Sequence, residues 1–308
     1  MRHVSGAVVS DNLRSVSGAA KATREVPRGA LVVLLSLMSL GCTKPVQYER
    51  STTAWLPVWR EEFDGPAGAP VNSASWVYDS GDGCTGGICG WGNQEKESYT
   101  GSTENASLDG QGHLALVVRK APPGLACYYG PCRYTSGRIT TRGKVRVQPG
   151  RVEARIRIPS GQGLWPAFWL LGAAYPETPW PRAGELDVME NHGSNPRSIS
   201  SAMHGPGYFG SQTPFVHDEP LPTARYSDDF HLFAVEWDST RVRFLVDDLE
   251  HYVVTRTAVK AKGEWVFDQP FHIILNLAIG GQFDGDPASD GMLPATMLVD
   301  FVRAYVRR

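Results

Sequence analysis

Between positions 151 and 158 the chain reads Arg-Val-Glu-Ala-Arg-Ile-Arg-Ile, with apolar and charged residues alternating without a break. A period of two fits a strand with one face buried and the other in water. Residues 113–119, 231–237, 241–246 and 271–281 carry further strand-like runs, and 241–246 passes through Asp247-Asp248 into Tyr252-Val-Val as a hairpin. Turn formers are plentiful, with 33 Gly and 22 Pro in 308 residues. No long amphipathic helix, internal repeat or low-complexity domain interrupts the series. Short strands separated by turns predict an all-β chain, a jelly-roll sandwich of two antiparallel sheets.

One strand is unusually acidic. Gly184-Glu185-Leu186-Asp187-Val188-Met189-Glu190-Asn191 places three carboxylates within six residues. Side chains alternate along a strand, so Glu185 and Asp187 share a face and Glu190 has the wrong parity for it. A β-bulge at Val188-Met189 would return Glu190 to that face, and bulges re-aim side chains at active sites. Carboxylates converging on a half-buried face repel one another, so at least one has a raised pKa. Such a pair suits acid/base chemistry; glycoside hydrolysis with retention needs a carboxylate nucleophile and a carboxylic acid about 5 Å apart. The rival readings are an exposed acidic strand and a cation site built from carboxylates.

A second signal precedes it. In Gly163-Leu-Trp165-Pro-Ala-Phe-Trp169-Leu-Leu-Gly172 both tryptophans have the same parity and share a strand face, with Pro166 implying an edge or a bulged start. Indole rings on an open sheet face offer apolar platforms to the C–H faces of sugars; the rival reading is a core role. Trp180 is a weaker candidate on the loop before Glu185.

The run Glu-Leu-Asp-Val-Met-Glu resembles the catalytic motif of glycoside hydrolase family 16, in the bulged form of laminarinases and their relatives. By position, the resemblance implies Glu185 as nucleophile, Glu190 as general acid/base and Asp187 as the group that tunes the nucleophile. Trp91-Gly-Asn93-Gln-Glu95, followed by Tyr99-Thr100, is similar to a laminarinase stretch and implies that Trp91 and Asn93 line the glycone side of the cleft. Tyr134-Thr-Ser-Gly137-Arg138 resembles a stretch ending in Ser-Ala-Arg whose arginine reaches the sugar; here Gly137 replaces the alanine. The same resemblance puts Trp165 and Trp169 at subsites beside the catalytic strand. Ser200-Ser-Ala-Met-His204-Gly-Pro-Gly-Tyr208 is similar to the neighbouring strand of 1,3-β-glucanases, with His204 donating to a sugar hydroxyl or to the carboxylates. Asn276-Leu-Ala-Ile-Gly-Gly281 nearly reproduces another family run, after which a tryptophan often forms a cleft wall. Gln282-Phe283 stand there instead and imply a narrower or differently stacked wall. Members often carry a structural calcium, for which Glu62, the Gly112 carbonyl and Asp300 match by position; oxygen donors suit that ion.

The resemblance covers about 55–308. It implies a jelly roll with a concave substrate cleft and an endo-acting, retaining β-glucanase working without a redox or organic cofactor. β-1,3-Glucan is the implied substrate, with mixed-linkage β-1,3-1,4-glucan second. A β-glucan-binding protein and a transglycosylase on the same fold are the alternatives, although a binding protein would be expected to lack one or both glutamates.

Residues 1–42 read as a leader. Lys21, Arg24 and Arg28 precede an apolar run from Ala30 to Leu40, too short for a stable membrane span and suited to a signal sequence. Gly41-Cys42 resembles a bacterial lipoprotein cleavage site, which would make Cys42 a lipid anchor; ordinary secretion is the alternative. The long stretch before the apolar run places the translational start downstream of Met1. A linker spans 43–54. After the first 41 residues the chain holds 25 basic and 30 acidic residues, so no basic surface for nucleic acid is expected, and the protein reads as a monomer. Cys84, Cys89, Cys127 and Cys132 form two closely spaced pairs in glycine-containing loops. Local disulfides 84–89 and 127–132 are expected, with a four-thiolate zinc site as the rival.

Overall fold

A computed structural model describes residues 54–308. The leader ending at Cys42, and the linker 43–54 apart from Ala54, lie outside the described residues. Two large sheets pack face to face. One has seven strands in the order Val216–Pro220, Ser198–His204, Glu185–Glu190, Leu164–Gly172, Phe271–Ile279, Arg138–Thr140 and Val77–Tyr78, all antiparallel. The other has ten, running from Leu249–Thr255 through Arg241–Val246, His231–Trp237, Arg151–Arg157, Ala295–Arg307, Leu114–Lys120 and Tyr134–Ser136 to Glu97–Tyr99. Trp55–Glu61 and Ala106–Leu108 pair at its side. The pairing of Glu97–Tyr99 with Tyr134–Ser136 is parallel, the one departure from antiparallel pairing among the described residues. The chain therefore folds as the expected jelly roll.

Parity decides what fills the interior. Phe271, Ile273, Leu275, Leu277 and Ile279 project from the seven-stranded sheet into the core, and Val152, Ala154 and Ile156 meet them from the other sheet. His272, Ile274, Asn276 and Ala278 take the opposite face, as do Trp165 and Trp169 on the neighbouring strand. That outer face carries the site. Each core side chain of this size contributes about 1.5–3 kcal/mol by leaving water.

The alternating strand departs from its simplest reading. Arg151 and Glu153 are buried rather than wet, because the neighbouring strands bring Glu236, Arg243 and Tyr305 over them. Arg151 bonds Glu153, Glu236 and Asp248, Arg243 bonds Glu236 and Glu250, and the Tyr305 hydroxyl donates to Glu153. A buried charge is retained only when paired in this way.

Both disulfides close within their loops, Cys84–Cys89 and Cys127–Cys132, so the zinc alternative for these thiols is set aside. The helix Arg256–Lys260 starts at Thr255, whose hydroxyl accepts from the Ala258 N–H.

Leu275 is fully buried on the strand Phe271–Ile279, on the face opposite Asn276. Leu275→Ala is expected to lower unfolding free energy by about 2–5 kcal/mol in a urea titration, by lost transfer energy plus the cavity left behind.

Candidate active site

The acidic strand begins at Gly184, whose φ of +76° lets the chain turn sharply out of the preceding loop. A Cβ there would lie 2.9 Å from Val266 Cγ2, so the turn is reserved for glycine on two counts. Glu185 then faces Leu171 across the ladder and Asp187 faces Trp169, but Met189 faces Phe168 and Glu190 faces Ala167. The register slips by one residue at Val188-Met189, and pairing with Ser198–His204 shows the same slip between Asp187 and Glu190. The parity argument places a bulge at this position. Val188 and Met189 both point into the core, at 1% and 0% exposure, which returns Glu190 to the outer face with Glu185 and Asp187. Ser201 donates its hydroxyl proton to the Val188 carbonyl at 2.8 Å, satisfying the backbone at the slip.

Three carboxyl groups thus crowd one poorly hydrated surface. Burial pushes Glu185 up to about 8; the Asp187 charge adds to this, while His204 and the Trp180 indole oppose it. Burial likewise raises Asp187 and Glu190 to about 8, with the Asp187 charge acting on Glu190 and the Trp165 indole offsetting part of the rise. Mutual repulsion prevents all three from ionising together near neutrality. Their surroundings differ, however. His204 Nε2 lies 3.0 Å from Asp187 Oδ2, without a hydrogen bond between them, and 3.8 Å from Glu185 Oε1. Trp165 Nε1 donates to Glu190 Oε1 at 2.9 Å. One proton therefore leaves the trio before the others, and the two ends have different neighbours: an imidazole beside Glu185 and Asp187, and an indole N–H on Glu190. One ionised carboxylate and one protonated carboxyl on a common face can act as nucleophile and acid.

Aromatic groups flank the trio at both ends. Trp165 stacks on Phe283 with ring centres 4.2 Å apart, and His192 stacks on the same ring at 3.8 Å. At the other end Trp180 stands 6.3 Å from His204 and packs edge-on against Phe209. Trp169 Nε1 donates to Asn276 Oδ1 at 2.8 Å, and Asn276 Nδ2 donates to the Tyr99 hydroxyl. Arg138 lies with its guanidinium 4.3 Å from the Trp91 ring and 5.0 Å from Trp169, its Nε donating to the buried Asp79. The structure thus brings Arg138, Trp91 and Trp169 into one group, and Trp165 and His204 against the carboxyls. Asn93 is turned inward, its amide donating to Glu95 Oε1 at 3.2 Å.

Several neighbours lie outside the sequence expectations. Phe283 was readable only as a substitute for a missing tryptophan, yet it continues the aromatic wall. Asn276, Tyr99 and Asp79 position the expected tryptophans and arginine. Asn276 stood inside a quoted motif and shares a face with His272, and that parity could have assigned it.

The expected calcium ligands are differently engaged. Both Glu62 oxygens accept from Arg303, at 2.9 and 2.7 Å, and Asp300 Oδ2 accepts from Arg155 at 2.6 Å. Gly112 sits in a turn stabilised by Asp109. As arranged, each carboxylate already has an arginine partner, so the set is not preformed for a calcium ion.

Comparison with known proteins bears on the same stretch. The sequence profile of glycosyl hydrolases family 16 matches residues 93–301. A Rhodothermus marinus protein named beta-glucanase is 39% identical over 289 residues, covering 88% of this chain and 92% of that one. Glucan endo-1,3-beta-glucosidase A1 of Niallia circulans is 36% identical over 80% of this chain, which spans only 37% of that longer protein. The X-ray structure of endo-beta-1,3-glucanase from Pyrococcus furiosus superposes with a TM-score of 0.77 at 41% identity, covering 84% of this chain and 98% of that one.

The raised carboxyl groups also make a thermodynamic prediction. Glu190 is neutral in both folded and unfolded chains below its ordinary value of 4.5 and is pushed up to about 8 on folding. Its stabilising contribution is complete at low pH and is lost as pH rises through that window. Glu190→Gln removes the liability, so the variant's melting temperature relative to the parent should climb between pH 5 and pH 8 in scanning calorimetry. An unchanged difference would contradict the burial argument.

Proposed function

The chain belongs to glycoside hydrolase family 16, and from that premise we propose that it is an endo-acting, retaining β-glucanase whose trio works as Glu185 nucleophile, Glu190 acid/base and Asp187 tuning group. The bulge carries this reading, because it sets Glu190 on the face of Glu185 with Asp187 between them. In the first step a Glu185 oxygen bonds to the anomeric carbon as the glycosidic C–O bond breaks, and Glu190 gives its proton to the departing oxygen. In the second, Glu190, now ionised, takes a proton from water as that water attacks the same carbon and releases Glu185. Two inversions leave the configuration unchanged. His204 lies beside both Asp187 and Glu185, and Trp165 orients Glu190 through its N–H.

β-1,3-Glucan is the proposed substrate, with mixed-linkage β-1,3-1,4-glucan second. The names of the relatives support this choice, and the site's chemistry agrees with a neutral polymer. Trp165, backed on one side by Phe283, offers its other ring face as an apolar platform for a pyranose. Trp91 and Trp169, tied to the same Arg138, offer another. Arg138 itself is committed to Asp79 rather than presented for a sulfated chain.

Purified protein should release reducing ends from laminarin, and more slowly from barley mixed-linkage glucan. Glu185→Ala should lose more than about 1,000-fold in kcat/KM, the scale of removing a reacting group rather than one hydrogen bond. With an activated aryl glycoside and azide, Glu185→Ala should yield the glycosyl azide of inverted configuration and Glu190→Ala that of retained configuration. Exchange of these products would reverse the roles. No hydrolysis of either glucan by the parent protein, with laminarin still bound, would favour a binding role.

Trp165→Phe keeps the stack on Phe283 and deletes the N–H that favours ionised Glu190. Glu190 should then hold its proton to higher pH, moving the basic limb of the kcat/KM profile upward by about 0.5–1 pH unit, the scale of one hydrogen bond. A limb that stays in place or moves to lower pH would remove Trp165 from the tuning of the acid.

A further inference from the structure

Two imidazoles and a carboxylate meet at the edge of the sandwich, away from the catalytic face. His217 and Glu219 share a face of Val216–Pro220, the edge strand of the seven-stranded sheet. His251 comes from Leu249–Thr255, the edge strand of the other sheet, and occupies a bulge where Phe244 pairs Tyr252 but Leu245 pairs Glu250. His217 Nε2 lies 3.4 Å from Glu219 Oε2, and His251 Nδ1 lies 4.0 Å from that same oxygen. All three donor atoms fall within 4.8 Å of one another.

The protons of this cluster leave a lone pair aimed into it. Ser201 has one hydroxyl proton, which it gives to the Val188 carbonyl at 2.8 Å. Its contact with His251 Nε2 at 3.3 Å must then be an acceptance from Nε2–H. The other ring nitrogen, Nδ1, is consequently unprotonated. It is buried without a hydrogen-bond partner, in a side chain only 2% exposed, and it points toward a carboxylate oxygen. Two acceptors facing each other across 4.0 Å with no proton between them repel; a cation reverses the sign. The His217 ring is fixed by stacking on Tyr252, at 5.1 Å and 18°.

We propose that His217, Glu219 and His251 bind a divalent transition-metal ion of the zinc class, which clamps the edges of the two sheets together behind the catalytic bulge. Bonds of about 2.0–2.1 Å in a tetrahedron set ligand atoms about 3.3–3.5 Å apart. His217 Nε2 donates to Glu219 Oε2 at 3.4 Å and would give up that proton to the ion, and His251 Nδ1 would close in from its 4.0 Å on the same oxygen. Two imidazoles and one carboxylate are the donor set of zinc, and they select against calcium and magnesium, which require oxygen. The Ser201 hydroxyl supplies the partner that holds the second ring nitrogen of a metal-bound histidine. It also bonds Val188, so the ion and the bulge share one side chain.

Thermal unfolding of the full chain, stripped with EDTA and desalted, tests this without recourse to activity. Zinc chloride at about a hundredfold over its Kd should raise the melting temperature by about 5 °C or more, and calcium chloride should not. The shift should vanish in His217→Ala, whose half-exposed ring can be removed without opening the core, and should persist in Glu185→Gln. That second variant matters because Glu185, Asp187 and His204 also bring three donor atoms together. No zinc shift in the parent, a shift that survives His217→Ala, or one abolished by Glu185→Gln would each overturn the proposal.

Discussion

The Val188 carbonyl sits where the ladder slips, and the Ser201 hydroxyl meets it. An orphaned buried carbonyl would cost about 1–3 kcal/mol, enough to make a regular register competitive with the bulged one. The slip is secured twice on the inner side of the sheet. Beneath it Val188 and Met189 are both buried in the core, where a regular strand would bury only one of two consecutive residues. Returning to regular register would drive one of them onto the polar face and turn Glu190 inward, burying a carboxyl among hydrocarbons. Packing energy spent in the core thus becomes the placement of a carboxyl group on the opposite face.

What the bulge creates is an electrostatic conflict, and the outer face is built to contain it. Three carboxyls raised by burial need partners that discriminate among them. His204, opposite Glu185 in the ladder, provides a nearby imidazole to one end of the trio; the Trp165 indole provides a single neutral donor to the other. The aromatic rings have two purposes at once, since they exclude water, which keeps the carboxyls raised, and leave flat apolar surface beside the acids. Farther out, Glu95 and Tyr99 are raised as well, by burial first and then by the Glu97 charge. The Tyr99 hydroxyl meets both Glu95 and Asn276, so Asn276 links this second polar layer to Trp169.

Much of this was legible because the period of a strand is rigid. The parity of Glu185, Asp187 and Glu190 alone requires a bulge between Asp187 and Glu190 for the three to converge, and the odd positions of Trp165 and Trp169 put both on the same face. The two cysteine spacings pointed to the bonds that form. Parity failed where the opposing strand mattered. The charged side of 151–158 looks wet in one dimension, but Glu236, Arg243 and Tyr305 arrive from chain positions 80 to 150 residues away and cover it. The arginine partners of the expected calcium ligands were hidden for the same reason: Arg303 and Arg155 are as visible in the sequence as Glu62 and Asp300, but only the fold pairs them. Phe283 belongs to this class too, its stacking on Trp165 being fixed by the path of the loop after Gly281.

Loop path is also where polymer recognition separates from chemistry. The carboxyl trio rests on one strand that is paired on both sides and has a core of fully buried side chains below, so its geometry changes only if the sheet changes. The rings that border it do not share that support. Trp180 and Phe209 come from loops, and Phe283, on the loop after Gly281, stacks on Trp165 and His192. Replacing Phe283 alters the width of the wall without touching a core contact or a carboxyl, whereas replacing Trp165 alters the wall and the acid together, through one N–H bond of 2.9 Å. Substrate preference can therefore drift along the loops while the reaction stays fixed by the strand, with Trp165 as the residue at which the two are tied.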